Sequence, residues 1–304
     1  MQILSSDDVD ALISPAAAVE AIRGALLAGF DPATDPHRVK VALGHGEMHL
    51  LASSSSAYAG VKILGIQPPG STGDVPLVQG SYLLMGGRTL TPELLLEAAS
   101  LTRLRTPAVS IAGVYDLLRA TDAPLDVAIF GSGVQARGHA ETLLAVCDGI
   151  RPVDFTFISR HRPGDLGWSW VEAGSDGAAA VLRRAGLVIT ATSSPEPIVR
   201  AADLRGDAIV LAVGAHTADT RELHEDVLRG AQVIVEDVDA AFREAGDVVQ
   251  AVDAGAVARG DLIPMAQVVR GEATLDPARR VVFKTVGMGW QDLAVAEVAA
   301  AATA

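Results

Sequence analysis

The stretch at 127–146, Val-Ala-Ile-Phe-Gly-Ser-Gly-Val-Gln-Ala-Arg-Gly-His-Ala-Glu-Thr-Leu-Leu-Ala-Val, constrains the fold more than any other part of the chain. Residues 127–130 are apolar without alternation, as a central parallel strand covered on both faces requires. Gly131, Ser132 and Gly133 then make a tight turn, and a helix from Val134 to about Cys147 opens over it with unpaired amides that attract phosphate. Ala136 takes the third place of a G-x-G-x-x-G/A fingerprint and is small enough for close packing of helix on strand. In a chain with thirty glycines a G-x-G is weak by itself. The strand before it, the helix after it and a second strand at 155–159, placed to end beside an adenosine ribose, give it weight. The turn is expected to seat the pyrophosphate of a dinucleotide.

The rest of the chain arranges itself around this turn. Ahead of it the spacing predicts helices at 7–12 and 14–28, then a β-rich section with strands at 37–43, 48–52, 60–66 and 77–85 joined by Gly/Ser/Pro turns, a meander or small half-barrel. Helices are expected at 91–100 and 107–120. From 121 to about 240 strands (127–130, 155–159, 187–192, 208–213, 233–237) alternate with helices (134–147, 176–185, 222–229), the pattern of a doubly wound parallel sheet. A strand at 281–285, a loop at 286–289 and an alanine-rich helix from Trp290 close the chain. The fold class is therefore α/β: a Rossmann-type doubly wound sheet at 121–285, plus an α+β domain built from 1–120 together with 286–304.

With 304 residues, 49% of them hydrophobic, the chain can bury two cores. A formal charge of −13 argues against a general nucleic-acid or anionic-membrane surface, so any anionic ligand must be held by a few local cations. Cys147 is the single cysteine, which excludes an internal disulfide and suits a reducing cytoplasm; its place on a packed helix speaks for burial rather than catalysis. The acidic amino terminus resembles no signal peptide, and no apolar run reaches the roughly 18–20 residues of a membrane span. The expectation is a soluble cytoplasmic protein.

Lysine occurs only at 40, 62 and 284, and both Lys62 and Lys284 stand in apolar strand contexts. A buried ammonium is costly without an anionic partner, so each is either a ligand contact or a lysine on the wet face of a strand. Arg38 and Arg105 could join Lys62 in gripping the carboxylate of an α-amino or α-imino acid, or could be ordinary surface arginines. Ser159-Arg160-His161-Arg162 follows the second strand without the acidic residue of an NAD site. A hydroxyl and two arginines suit a 2′-phosphate, so NADP is expected over NAD. His45, Glu47 and His49 alternate, but not in a helical metal-binding pattern. A hairpin with exposed histidines is expected there, and no metal.

Taken in order, Gly-Val-Lys62, Leu-Thr-Arg-Leu-Arg105-Thr-Pro-Ala, Phe-Gly-Ser-Gly-Val-Gln-Ala, Thr-Ala-Thr192-Ser193, Val-Gly-Ala-His216 with Arg-Glu-Leu223, and Lys-Thr285-Val-Gly-Met-Gly-Trp-Gln-Asp292 resemble the ornithine cyclodeaminase/μ-crystallin family over nearly the whole chain. The resemblance implies a homodimer whose amino-terminal β section, closed by the last helix, binds substrate and joins subunits while the middle binds the dinucleotide. It implies that Arg38, Lys62 and Arg105 hold the substrate carboxylate and that Val286 faces the substrate. It further implies that Val134, Gln135, Ser159, Arg160, His161, Thr192, Ser193, Gly214 and Thr285 line the dinucleotide with the 131–133 turn. Lys62, Arg105 and His216 are the catalytic candidates.

The family holds cyclodeaminases, ketimine and cyclic-imine reductases, amino-acid dehydrogenases and hormone-binding crystallins. Where the cyclodeaminases carry an acid/base aspartate this chain has His216, which argues against ornithine cyclisation; His216 either shuttles a proton or hydrogen-bonds within its loop. The segment 162–175 is too short for a full helix and strand, which would leave an open adenine pocket. The expected activity is NAD(P)H-dependent reduction of a C=N bond beside a carboxylate. The alternatives are a lyase that uses NAD+ transiently and a non-catalytic NADPH-dependent binding protein.

Overall fold

The computed structural model describes residues 1–68, 71 and 75–303. The chain opens with strand β1 (Gln2–Leu4) and helices α1 (Ser6–Leu12) and α2 (Pro15–Leu27), which start at Ser5 and Ser14, whose hydroxyls accept backbone amides as N-caps. Strands β2 (Val39–Ala42), β3 (Glu47–Ser54), β4 (Tyr58–Ile66), β5 (Val78–Gly86) and β6 (Pro92–Glu97) follow, then helices α3 (Ala98–Ala112) and α4 (Tyr115–Arg119). Next come β7 (Leu125–Phe130), α5 (Val134–Cys147), β8 (Val153–Ser159), β9 (Ser169–Glu172), α6 (Asp176–Arg184), β10 (Leu187–Thr190), β11 (Ile209–Ala212), α7 (Glu225–Leu228) and β12 (Gln232–Val235). The last elements are α8 (Val238–Glu244), α9 (Gly246–Asp253), β13 (Ile263–Pro264), α10 (Met265–Val269), β14 (Val281–Lys284) and α11 (Gly289–Thr303). No helix among the described residues is long and apolar enough to cross a membrane.

Backbone contacts divide the chain into two units, Met1–Ala108 with the residues from Gly287 onward, and Val109–Val286. The sequence places the first division near 120; here it falls within α3. In the first unit a six-stranded sheet runs in the order β1-β6-β5-β4-β3-β2, antiparallel except for the parallel β1/β6 pair. The meander foreseen from the sequence is present, and the turn expected between the strands at 60–66 and 77–85 lies partly outside the described residues.

Two elements differ from expectation. Residues 92–97 form β6 rather than a helix, because Leu94 and Leu96 alternate into the core with strand period, and Pro92 takes the first strand position, where a missing amide costs least. Pro107 lies inside α3 instead of opening a new helix, and the helix stops before Gly113, where a Cβ would stand 2.3 Å from the Phe283 ring. Lys62 pairs across the ladder with Leu51 and Tyr82, so the three share one sheet face, and α11 packs on β3 and β4. On the opposite face Val39, Val41 and Ile63 stay exposed.

The second unit is an eight-stranded parallel sheet ordered β13-β12-β14-β11-β10-β7-β8-β9. Its central strands are buried along their length, which is why they read as unbroken apolar runs. In place of a crossover helix, a loop connects β8 to its parallel neighbour β9, so the short 162–175 segment keeps its strand and gives up its helix. The helix expected at 222–229 contracts to α7, because Glu222 and Leu223 are held outside it by the contacts described below. Cys147 is buried at the end of α5, and burial pushes its thiol upward.

Candidate active site

The order of the parallel strands reverses around β7, which lies between β10 and β8. At such a switch point the carboxyl ends of neighbouring strands open a crevice. Five consecutive strands, β14, β11, β10, β7 and β8, end there in residues singled out from the sequence: Thr285 and Val286, Gly214, Thr192 and Ser193, Gly131 to Gln135, and Ser159 to His161. Gly131 has φ +100°, and a Cβ on it would lie 2.4 Å from the Ala191 carbonyl oxygen, so only glycine fits beneath the turn. Above, an added Cβ on Gly133 meets nothing within 4 Å, and no side chain caps the amino end of α5. A close-fitting floor, open space over it and an uncapped helix start fit a pyrophosphate.

The sequence did not reveal what holds this edge together. Glu222 is fully buried, and its carboxylate accepts four hydrogen bonds: from the amide and hydroxyl of Thr192 at 2.7 Å each, from the Thr190 hydroxyl at 2.9 Å and from the Gly214 amide at 2.7 Å. It thereby ties the end of β10 to the end of β11. Asp247 supports it in turn, accepting the amides of Glu222 and Leu223 at 2.8 Å and pairing with Lys284 at 3.1 Å. Lys284 also donates to the Ala215 carbonyl. The buried ammonium of Lys284 therefore has its anion inside the second unit and serves as an internal tie, which decides against the ligand contact its apolar setting suggested. An acid between arginine and leucine in Arg-Glu-Leu223 was the available signal, but nothing local tells a buried carboxylate from a surface one.

At the expected adenosine end, Arg160, His161 and Arg162 are exposed. The Ser159 hydroxyl donates to the His161 carbonyl at 2.7 Å and accepts from Trp170 Nε1 at 2.8 Å. The hydroxyl proton of Ser159 is thus directed into the loop, beside a sequence that carries Arg160 and Arg162. Thr285 is buried with its amide on the Ala212 carbonyl, and the Val286 amide donates to Glu236 at 2.7 Å. His216 is exposed, with Nδ1 3.1 Å from the Gly214 carbonyl oxygen, the hydrogen bond within the loop that the sequence allowed.

The first unit gathers the predicted cations. Lys62 Nζ, fully buried on β4, lies 2.8 Å from the Asp292 carboxylate and 3.3 Å from the Thr102 hydroxyl. Arg105, on α3, donates through Nε to Asp292 at 3.1 Å and through Nη1 to Gln291 at 3.3 Å. Arg38 donates to the Gly287 carbonyl at 2.9 Å. Gly287 has φ +83°, and a Cβ there would stand 2.6 Å from Arg105 Nη1, so glycine at 287 lets the loop pass over the guanidinium.

Burial pushes the Lys62 ammonium down to about 7, helped by the positive charges of Arg105 and Arg38 and opposed by Asp292. Asp35, buried beside the start of α11, accepts the Trp290 amide at 3.0 Å and is pushed up to about 6, chiefly by burial. Sequence reasoning found the three cations but missed Asp292 as the anion that Lys62 and Arg105 share. His49 is also not the exposed hairpin histidine expected: it is buried, with Nε2 2.9 Å from Glu47. His45 is exposed.

Compared with known proteins, residues 1–301 match the sequence pattern of the Ornithine cyclodeaminase/mu-crystallin family. The chain belongs to that family. It is 31% identical to Delta(1)-pyrroline-2-carboxylate reductase 2 of Burkholderia ambifaria, over 87% of this chain and 83% of the relative. It is 30% identical, with the same coverage of each chain, to the Delta(1)-pyrroline-2-carboxylate/Delta(1)-piperideine-2-carboxylate reductase of Azospirillum brasilense. Its fold matches that of Thermococcus litoralis Delta(1)-pyrroline-2-carboxylate reductase, solved with NADH and L-proline, with a TM-score of 0.83 at 24% identity, over 98% of this chain and 96% of that one.

Proposed function

We propose that the protein is an NAD(P)H-dependent oxidoreductase that reduces the C=N bond of a ketimine, cyclic imino acid or 2-imino acid. The observation that carries this reading is the gathering of cations in the first unit: Lys62 and Arg105 share the carboxylate of Asp292, and the charge of Arg38 reaches the same ammonium. Three cations gathered about the Asp292 carboxylate suit a ligand that carries a carboxylate of its own. Arg38 and Arg105 present planar guanidinium groups to it, and Lys62 adds its charge from the sheet. The similarity to reductases of carboxylated cyclic imines supports the same substrate class.

The second unit supplies the dinucleotide seat. The 131–133 turn and the start of α5 take the pyrophosphate, Thr192, Ser193, Gly214 and Thr285 line the crevice, and Arg160 meets the ribose, which favours a 2′-phosphate and NADP. A reduced nicotinamide bound there would supply the hydride. The exposed apolar face of Val39, Val41 and Ile63 suits pairing with a second copy of the chain.

The test is a screen of NADPH and NADH oxidation over cyclic imines such as Δ1-pyrroline-2-carboxylate, and over 2-oxo acids supplied with ammonia or methylamine. Consumption of reduced dinucleotide with at least one carboxylated imine is expected. Absence of consumption with all of them, or ammonia release from ornithine without it, refutes the reading.

A further inference from the structure

Imine reduction needs a proton as well as a hydride, and the cation cluster is badly placed to trade protons with water. Lys62 is completely enclosed, held by Asp292 and Thr102, and the side chain of Asp292 is equally enclosed. Arginine does not give up its proton near neutral pH. A group is required that reaches the substrate at one end and water at the other.

One pair of side chains on the same sheet meets that requirement. Leu51 is the ladder partner of Lys62, and His49, two residues earlier on β3, points to the same face opposite Leu64. Two residues along a strand separate His49 from the Lys62 position by about 7 Å. At that backbone spacing the two side chains rise from one face as neighbours, an arrangement that lets a small imino acid sit with its carboxylate at the cations and its nitrogen toward the imidazole.

The imidazole is poised for this part. Its Nε2 is fixed 2.9 Å from Glu47, and Nδ1 makes no hydrogen bond among the described residues. The His49 side chain is 7% exposed and that of Glu47 55%, so the pair runs from the protein interior to solvent. His49 holds the Glu47 carboxyl below its usual range, so Glu47 stays anionic and gives the ring a counter-charge when it carries a second proton. The other ladder partners around His49 are the ammonium of Lys40 on β2 and the apolar Leu64 on β4.

We infer that His49, oriented by Glu47, is the acid–base group that exchanges the proton of the substrate nitrogen with solvent. This rests on the imine-reductase reading above. As the hydride adds to the imine carbon, the π electron pair of the C=N bond moves to nitrogen, a new N–H bond forms there and the Nδ1–H bond of the imidazolium breaks. Neutral His49 then takes up a proton at Nδ1 from water that replaces the product, while Nε2–H stays on the Glu47 carboxylate. In the oxidative direction the same atoms move in reverse.

The experiment compares the wild type with His49→Gln, His49→Phe and Glu47→Gln, using Δ1-pyrroline-2-carboxylate and saturating reduced dinucleotide across pH 6 to 9. Loss of a general acid costs about 10²- to 10⁴-fold. Both His49 variants should lose at least about 100-fold in kcat with KM changed less than about threefold, and the limb of the kcat profile that falls as pH rises should disappear. Added imidazole should restore part of the His49→Gln rate, and Glu47→Gln should keep a reduced rate with the limb displaced. Unchanged dinucleotide affinity shows that the variants are folded. Wild-type kcat and pH profile in both His49 variants, or a change confined to KM, overturns the inference and leaves the reductase reading standing. Failure of the wild type to reduce any imine refutes that reading and the inference with it.

Discussion

Replacing Lys62 by methionine separates charge from packing at the centre of the cation cluster. The drop of the ammonium from 10.5 to about 7 corresponds to a penalty of order 5 kcal/mol on its charged form. Methionine fills nearly the same volume without that penalty, and Asp292 keeps its hydrogen bond from Arg105. The variant should therefore be at least as stable as the wild type below pH 7. Because the folded-state value lies under the unfolded one, the unfolded chain binds more protons between about pH 7 and 10.5, and wild-type stability rises with pH through that window. Lys62→Met removes this slope.

The catalytic consequence is opposite in sign. A unit charge about 5 Å from the substrate carboxylate, at an effective dielectric constant near 20, contributes about 3 kcal/mol, or roughly 100-fold in kcat/KM. The wild type binds substrate best when Lys62 is protonated, so its KM should climb as pH rises above about 7, and the methionine variant should show no such climb. Steady-state oxidation of reduced dinucleotide from pH 6 to 9, alongside urea unfolding of both proteins, measures each quantity. A folded variant with wild-type kcat/KM would refute the assignment of Lys62 to the carboxylate.

Further outcomes follow from the second unit. Glu222→Gln leaves a single acceptor oxygen where four donors converge, so stability should fall by about 2–3 kcal/mol and dinucleotide affinity at least about tenfold, read by thermal unfolding and fluorescence titration. Gly131→Ala drives a Cβ against the Ala191 carbonyl in a left-handed backbone; a loss of about 1–3 kcal/mol in stability together with weakened dinucleotide binding is expected, and an unaltered Kd would argue against a pyrophosphate at that turn. Arg160→Ala should weaken NADPH by tenfold or more while sparing NADH, about the worth of one charge-assisted contact, and equal losses would contradict the preference for NADP.

The parallel-sheet half of the protein was legible in the sequence because its determinants are local. An uninterrupted apolar strand, a turn that only glycine can make and a helix start occupy adjacent residues, and the parallel alternation that follows leaves few alternatives for the sheet. The three scarce lysines and the arginines at 38 and 105 could likewise be singled out from composition and context. What these side chains do was decided by partners far away in the chain. Lys62 and Lys284 look alike in sequence, yet one meets Asp292 beside two arginines while the other is neutralised by Asp247. Glu222 became the fastener between the ends of β10 and β11, and His49 turned inward, only through contacts made by folding. Backbone geometry is encoded over a few neighbouring residues, whereas the worth of a charge depends on which groups the folded chain places around it and how much water it leaves there.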